Sequence, residues 1–191
     1  MLKAEPVVKI ENIVASATVK HRIELNSVVR AFPDAEYRPG RFPGLVFRLK
    51  KPKTSTLIFG SGKMICTGAR SENEARRALK KLVKVLKEGG ILIVGNPEMK
   101  IVNVVATVNL GGFVDLLELY ESERGMRGKI VYEPEQFPGL IYRMDSPRAV
   151  FLIFSSGKLV CTGARKEEDV HQAAIKLHRK LNEKNLIHHE K

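Results

Sequence analysis

Residues 57–70 read LIFGSGKMICTGAR, and residues 152–165 read LIFSSGKLVCTGAR; eleven of the fourteen positions are identical at a spacing of 95. Upstream, Phe42-Pro43-Gly44-Leu45-Val46-Phe47-Arg48-Leu49 matches Phe137-Pro138-Gly139-Leu140-Ile141-Tyr142-Arg143-Met144 at the same spacing. Further out, Ile10-Glu11-Asn12-Ile13-Val14-Ala15-Ser16 matches Ile101-Val102-Asn103-Val104-Val105-Ala106-Thr107 at a spacing of 91. The second copy therefore carries four extra residues between its Asn and Phe motifs, expected around Glu121–Gly128. Solenoid units repeat every ~20–50 residues, so this period is that of a small domain. Two copies predict a pseudo-twofold object, like a homodimer with its subunits fused. The glycine-rich stretch from Gly89-Gly90 to Gly95-Asn96-Pro97 marks the boundary, giving repeats 1–95 and 96–191.

Within the first copy, β-branched Val7–Val19 reads as a strand. Leu25–Phe32 reads as a short helix stopped by Pro33, and Ala35–Arg38 as a short strand. Gly44–Lys50, Thr54–Phe59 and Lys63–Gly68 are strands separated by Lys51-Pro52-Lys53 and Gly60-Ser61-Gly62 turns. Ser71, with Glu74 three residues on, is placed to cap a helix that aligns Ala75, Leu79, Leu82, Val83 and Leu86. The second copy repeats the order, its last helix aligning Val170, Ala173, Ala174, Leu177 and Leu181. The expectation is an α+β fold, with an antiparallel sheet carrying helices on one face.

Composition sets the function classes. Of 191 residues 43% are hydrophobic, enough for a packed core, and the formal net charge of +12 points to an anionic partner, nucleic acid or membrane surface. No apolar run approaches the ~18 residues of a spanning helix, and Met1 to Pro6 lack the apolar stretch of a signal peptide. Two cysteines make neither a disulfide framework nor a zinc site. A soluble, intracellular chain with reduced thiols and no cofactor or metal is expected. His171 and His178 are expected at the surface, on a largely polar face of the last helix.

Strand side chains alternate between faces. One consistent sorting sends Ile13, Ala15, Leu45, Phe47, Leu49, Met64 and Cys66 under the helices. The other face then shows Asn12, Val14, Phe42, Val46, Arg48, Leu57, Phe59, Ile65 and Thr67. An apolar patch of that size, with amides and a cationic rim, marks an interface. It suits the DNA minor groove, where A·T pairs present only acceptors and guanine adds an obstructing amino group.

These motifs, with Arg41-Phe42-Pro43-Gly44, Lys51-Pro52-Lys53-Thr54, Cys66-Thr67-Gly68-Ala69-Arg70 and Glu133-Pro134-Glu135-Gln136-Phe137, resemble the conserved core of the TATA-box-binding protein family, over residues 7–182. Phe-Pro-Gly in both halves and the lack of a long amino-terminal tail resemble its archaeal members. The resemblance implies a saddle: two pseudo-symmetric repeats forming one curved antiparallel sheet, with helices on the convex face. It implies that Phe42 with Phe59, and Phe137 with Phe154, intercalate as wedges. It assigns base contacts to Asn12, Asn103, Thr67, Thr162, Val14, Val105, Leu57, Leu152, Ile65 and Val160. It assigns phosphate contacts to Arg48, Arg143, Lys63, Lys158, Arg70 and Arg165, and binding of transcription factor B to Glu133 and Glu135. It also implies double-stranded TATA-box promoter DNA and transcription factor B as partners, RNA polymerase indirectly, and no membrane. A monomer on DNA, weakly dimeric when free, in a cytoplasm without a nucleus follows from the same likeness. Three positions depart from the family pattern: Gln136 stands where Leu is frequent, Arg70 and Arg165 where Lys is common, and the helix Arg76–Lys87 is basic where many archaeal relatives are acidic.

An enzyme reading finds little, because Gly60-Ser61-Gly62-Lys63-Met64 lacks the phosphate-loop spacing. A single-stranded nucleic-acid binder would stack bases on mid-strand aromatics, whereas these Phe lie toward strand ends. Homodimerisation through the open face is the third alternative.

Overall fold

The computed structural model describes residues 5–126 and 129–189. They form two compact units: residues 12–102, and residues up to Glu11 together with those from Asn103 onward. Residues 1–4, read above as lacking a leader, lie outside the described residues. Among the described residues no helix is long and apolar enough to cross a membrane.

The first unit is built from β1 (Val7–Thr18) from Asn12 onward, α1 (Leu25–Ala31), β2 (Glu36–Tyr37), β3 (Gly44–Lys50), β4 (Lys53–Phe59), β5 (Lys63–Ala69) and α2 (Glu72–Glu88). Its strands are antiparallel in the order β2-β3-β4-β5-β1. The second is built from β6 (Glu98–Asn109) from Asn103 onward, β7 (Phe113–Val114), α3 (Leu116–Ser122), β8 (Ile130–Val131), β9 (Leu140–Met144), β10 (Ala149–Ile153), β11 (Lys158–Ala164), α4 (Glu167–Glu183) and β12 (Ile187–His188). There the order is β6-β11-β10-β9-β8, again antiparallel. The longer connection of the second copy is residues 123–129, between α3 and β8, against 32–35 in the first. Of the expected insertion, Arg127 and Gly128 lie outside the described residues.

Helix α2 starts where the sequence places it: the Ser71 hydroxyl accepts from the Glu74 N–H (3.1 Å), and the Glu74 carboxylate accepts from the Arg70 N–H (2.7 Å). Its buried stripe is Ala75, Ala78, Leu79, Leu82, Val83 and Leu86. These pack over buried Ile13, Ala15, Leu45, Phe47, Leu49, Ile58, Met64 and Cys66. Each large side chain so buried contributes about 1.5–3 kcal/mol. Burial pushes the Cys66 thiol up from its usual range and the Cys161 thiol up to about 12, so both behave as small core hydrophobes.

Two features of the second unit differ from expectation. His178 is not at the surface: it is only 8% exposed, because it holds the place on α4 that Val83 holds on α2, within the stripe of Val170, Ala173, Ala174, Leu177 and Leu181, and the Asn182 amide contacts its ring. His171, a turn from the helix start, is exposed. The tail also does not simply end. Asn185 takes φ 56, the Leu186 N–H closes on Leu181 O (2.9 Å), and buried Leu186 and Ile187 lead into β12, which pairs with β7.

The two units solve one corner differently. In the first, Phe32, the C-cap of α1, stacks edge-on against Phe47 at 5.2 Å, and a Cβ on Gly89 would lie 2.3 Å from the Phe32 ring. In the second, the matched residues are Glu123, Tyr142 and Lys184, with Lys180 in place of Val85. The Glu123 carboxylate, 5% exposed, accepts from Lys180 (2.7 Å) and Lys184 (2.5 Å), and Lys180 also donates to the Tyr142 hydroxyl (2.9 Å). Burial alone would raise the Glu123 pKa, but the hydrogen bonds and charges of the two lysines outweigh it and hold the carboxyl below its ordinary value. A carboxyl whose folded pKa is depressed stabilises the fold above its unfolded pKa of about 4.3 and loses that contribution as pH falls through the lower folded value. Glu123→Gln is therefore expected to cost about 1.5–3 kcal/mol at pH 7 and to flatten the acid limb. Urea midpoints across the acid range check this; parallel acid limbs for the two proteins would contradict it.

Candidate nucleic-acid interface

The face of each sheet away from its long helix is where the sequence-predicted residues collect. In the first unit Val46, Leu57, Ile65 and Ser16 lie side by side across four strands. The next row is Arg48, Ser55 and Thr67. In the second unit the rows are Ile141, Leu152, Val160 and Thr107, then Arg143, Val150 and Thr162. Val14, Leu57, Ile65, Val105, Leu152 and Val160 are all half-buried, a floor open to a ligand.

Each Phe pair closes one end of this floor. Phe42 and Phe59 meet edge to face at 5.8 Å, Phe137 and Phe154 at 5.9 Å. Phe42 is 41% exposed and Phe137 38%. The glycine of Phe-Pro-Gly makes room for them. A Cβ on Gly44 would stand 2.6 Å from Phe42 and 3.0 Å from Phe59, and one on Gly139 would stand 2.7 Å and 3.1 Å from Phe137 and Phe154. This requirement was not read from the sequence, although the motif's identity in both copies carried the signal.

The amides are oriented by a backbone donor. The Gly68 N–H donates to Asn12 Oδ1 (2.8 Å), so Asn12 Nδ2 faces Thr67 Oγ1 (2.9 Å). The Gly163 N–H donates to Asn103 Oδ1 (2.8 Å), and Asn103 Nδ2 faces Thr162 Oγ1 (3.1 Å). Gly68 and Gly163 reach this geometry at φ 100 and φ 88, where register shifts interrupt the pairing of β5 with β1 and of β11 with β6. An amide nitrogen carries two hydrogens; one is used internally and the other remains for a ligand acceptor.

The rim cations Arg48, Lys63, Arg70, Arg143, Lys158 and Arg165 are all exposed. They are not equivalent. Arg48 Nη1 lies 2.5 Å from Glu36 Oε1, whereas Val131 stands at the matched position beside Arg143. Glu133 and Glu135 are exposed in the turn where the Phe137 N–H donates to Glu133 O (3.0 Å). The same turn in the first unit, with Phe42 N–H on Arg38 O (3.0 Å), carries Arg38 and Arg41 instead. Among the described residues no group of three or more His, Cys, Asp or Glu could hold a metal ion.

Comparison with known proteins places this geometry. The family model "Transcription factor TFIID (or TATA-binding protein, TBP)" matches residues 7–89 and 98–184. The chain belongs to the TATA-binding protein family. It is 49% identical to the TATA-box-binding protein of Archaeoglobus fulgidus over 181 residues, 94% of this chain and 97% of that one. It is equally similar, at 49% over 181 residues, to that of Sulfolobus acidocaldarius, covering 95% and 90%. The solved structure of Methanococcus jannaschii TBP superposes with a TM-score of 0.81 at 47% identity, covering 94% of this chain and 99% of that one. The α+β fold of repeated antiparallel sheets is thus that of the TATA-binding protein family, a family of non-enzymatic DNA-binding transcription factors.

The Glu36 contact generates an asymmetry in salt dependence. If the rim meets phosphates, each neutralised phosphate contributes roughly 0.9 to the slope of log affinity against log salt. Arg143→Ala is expected to lower the slope by about that amount without changing sequence preference. Arg48→Ala should lower it less, because Glu36 already offsets the charge. Titrations of one duplex at several salt concentrations check this, and a change of preference without a change of slope would remove Arg143 from the rim.

Proposed function

We propose that the chain is a general transcription initiation factor that binds the minor groove of A·T-rich TATA-box DNA, kinks it with its paired Phe side chains, and recruits transcription factor B and, through it, RNA polymerase. The observation that carries this reading is the oriented pair of amides: Asn12 and Asn103 each keep an outward donor on an apolar floor. An A·T minor groove offers acceptors only, while guanine adds a donor that would meet a donor. The exposed edge-to-face rings at the ends of the floor suit insertion between base steps, as in minor-groove architectural proteins, this family among them; unstacking costs a few kcal/mol per step. Bending a short site costs on the order of 1–10 kcal/mol, and both costs are offset by laying the widened groove on the Val and Leu floor. The protein acts on DNA as a monomer in the cytoplasm, at the nucleoid.

Phe137→Ala with Phe154→Ala should reduce the bend and weaken binding without abolishing it, since the Phe42–Phe59 pair remains. Energy transfer between dyes at the duplex ends reads the bend. Phe47→Ala serves as the control: it should destabilise the fold by about 3–5 kcal/mol and leave the bend of the folded fraction unchanged. Wild-type bending by the double variant would remove the wedge assignment.

The acidic turn supports the partner assignment. Glu133 stands where the same turn of the first unit carries Arg38, Glu135 where it carries Gly40, and Gln136 where it carries Arg41, which distinguishes the two copies of an otherwise repeated surface. Glu133→Arg with Glu135→Arg should leave DNA bending intact and abolish the ternary complex with transcription factor B in a mobility-shift assay. An undiminished ternary complex would place that contact elsewhere.

A further inference from the structure

The net charge of +12 is not shared between the units: residues 12–102 hold 18 basic and seven acidic side chains, or +11, which leaves +1 for the rest. Much of this excess is not on the rim. It lies on α2, facing away from the sheet, where Arg76, Arg77, Lys80, Lys81, Lys84 and Lys87 are exposed. Lys84 lies 3.9 Å from Glu88, and Lys81 donates to Lys51 O (2.5 Å), which brings the basic Lys50–Lys53 turn alongside. Among the described residues the remaining four make no ion pair with an acidic side chain.

The fold does not require this. Helix α4 has the same length and covers its sheet in the same way, yet its matched positions are His171, Gln172, Ile175, Lys176, Arg179 and Asn182. Ile175 is 44% exposed, whereas no large hydrophobic side chain stands out on α2. Protein interfaces are anchored by buried apolar and aromatic residues; a ridge of cations without such an anchor fits a phosphate backbone. From Arg76 to Lys87 the helix rises about 16 Å, against one duplex charge per ~1.7 Å of axis.

We propose that the exposed face of α2 is a second, sequence-independent DNA site that holds a separate duplex while the open face holds the promoter. The flanks of the promoter duplex itself are excluded, because minor-groove wedging bends DNA toward its major groove, away from the protein. The proposal rests on the open-face reading only for its choice of occupant.

The test saturates the protein with a short immobilised A·T-rich duplex and measures capture of a labelled G·C-rich duplex. Wild type should capture it, with capture falling about a hundredfold between about 50 and 200 mM salt for four phosphates neutralised. Arg76→Gln/Arg77→Gln/Lys80→Gln/Lys84→Gln, shown folded by circular dichroism, should still bind the immobilised duplex and capture none. Lys176→Gln/Arg179→Gln on α4 should capture like wild type. Undiminished capture by the α2 variant overturns the proposal. So does tighter binding of poly-glutamate than of the G·C-rich duplex to this face at equal charge, which would make it a site for an acidic protein. If the immobilised duplex is not bound, the open-face reading fails instead, and direct titration of the G·C-rich duplex against wild type and the α2 variant still decides this one.

Discussion

Each long helix has one apolar stripe, and one stripe covers only one face of a five-stranded sheet. Ala75, Leu79, Leu82, Val83 and Leu86 satisfy Leu45, Phe47, Met64 and Cys66 on one side, and strand alternation then leaves Val46, Leu57 and Ile65 on the other with no element of their own unit over them. An antiparallel sheet tolerates a solvated face when that face is polar; here it is apolar, so it calls for a ligand. The polar groups on it are arranged to a single sense. Backbone N–H groups at Gly68 and Gly163 occupy the amide oxygens of Asn12 and Asn103, which turns both side chains into outward donors. In the proposed reading, the apolar floor and the donor sign are what an acceptor-only groove meets.

Against this repeated frame, the two copies differ in surface charge. Arg38 is matched by Glu133, Gly40 by Glu135 and Arg41 by Gln136, Glu36 restrains Arg48 while Arg143 has Val131 beside it, and the basic ridge of α2 is matched by a nearly neutral α4. None of these changes touches the hydrophobic alternation, so each repeat keeps its fold while its surface diverges. The Phe32–Phe47 corner and its Glu123–Lys180–Lys184 counterpart show the same freedom inside the protein. A buried ionic cluster of this kind is not intrinsically more stabilising than an apolar one, and the pairing of both lysines with one carboxylate is what makes it tolerable.

Much of this was legible in the sequence because it depends on period. Alternation in Leu45–Leu49 and Met64–Thr67 separated core from open face, and the 3.6-residue spacing located the α2 stripe. What escaped depends on contacts between residues distant in sequence, or on a polar residue standing at a stripe position. His178 is buried because it stands at the stripe position that Val83 fills on α2, and its polarity hid that place. Strand β12 forms because Leu186 and Ile187 find Val114, a pairing no local pattern announces. The Arg48–Glu36 pair and the Glu123 cluster join positions read separately, Arg48 as a rim cation and Glu123 as part of the longer connection of the second copy. The role of Gly44 and Gly139 is steric and visible only once the Phe rings are in place.

The central claim is that the open face reads the minor groove by the absence of the guanine amino group. Replacing the A·T pairs of a bound duplex by inosine·cytosine pairs keeps the minor groove free of that group while giving the major groove the pattern of G·C. Binding measured side by side on the A·T, inosine·cytosine and G·C duplexes tests the claim directly. The account predicts that the inosine·cytosine duplex binds within a few-fold of the A·T duplex (~1 kcal/mol or less) and that the G·C duplex does not compete. Inosine·cytosine DNA behaving like G·C DNA would contradict it.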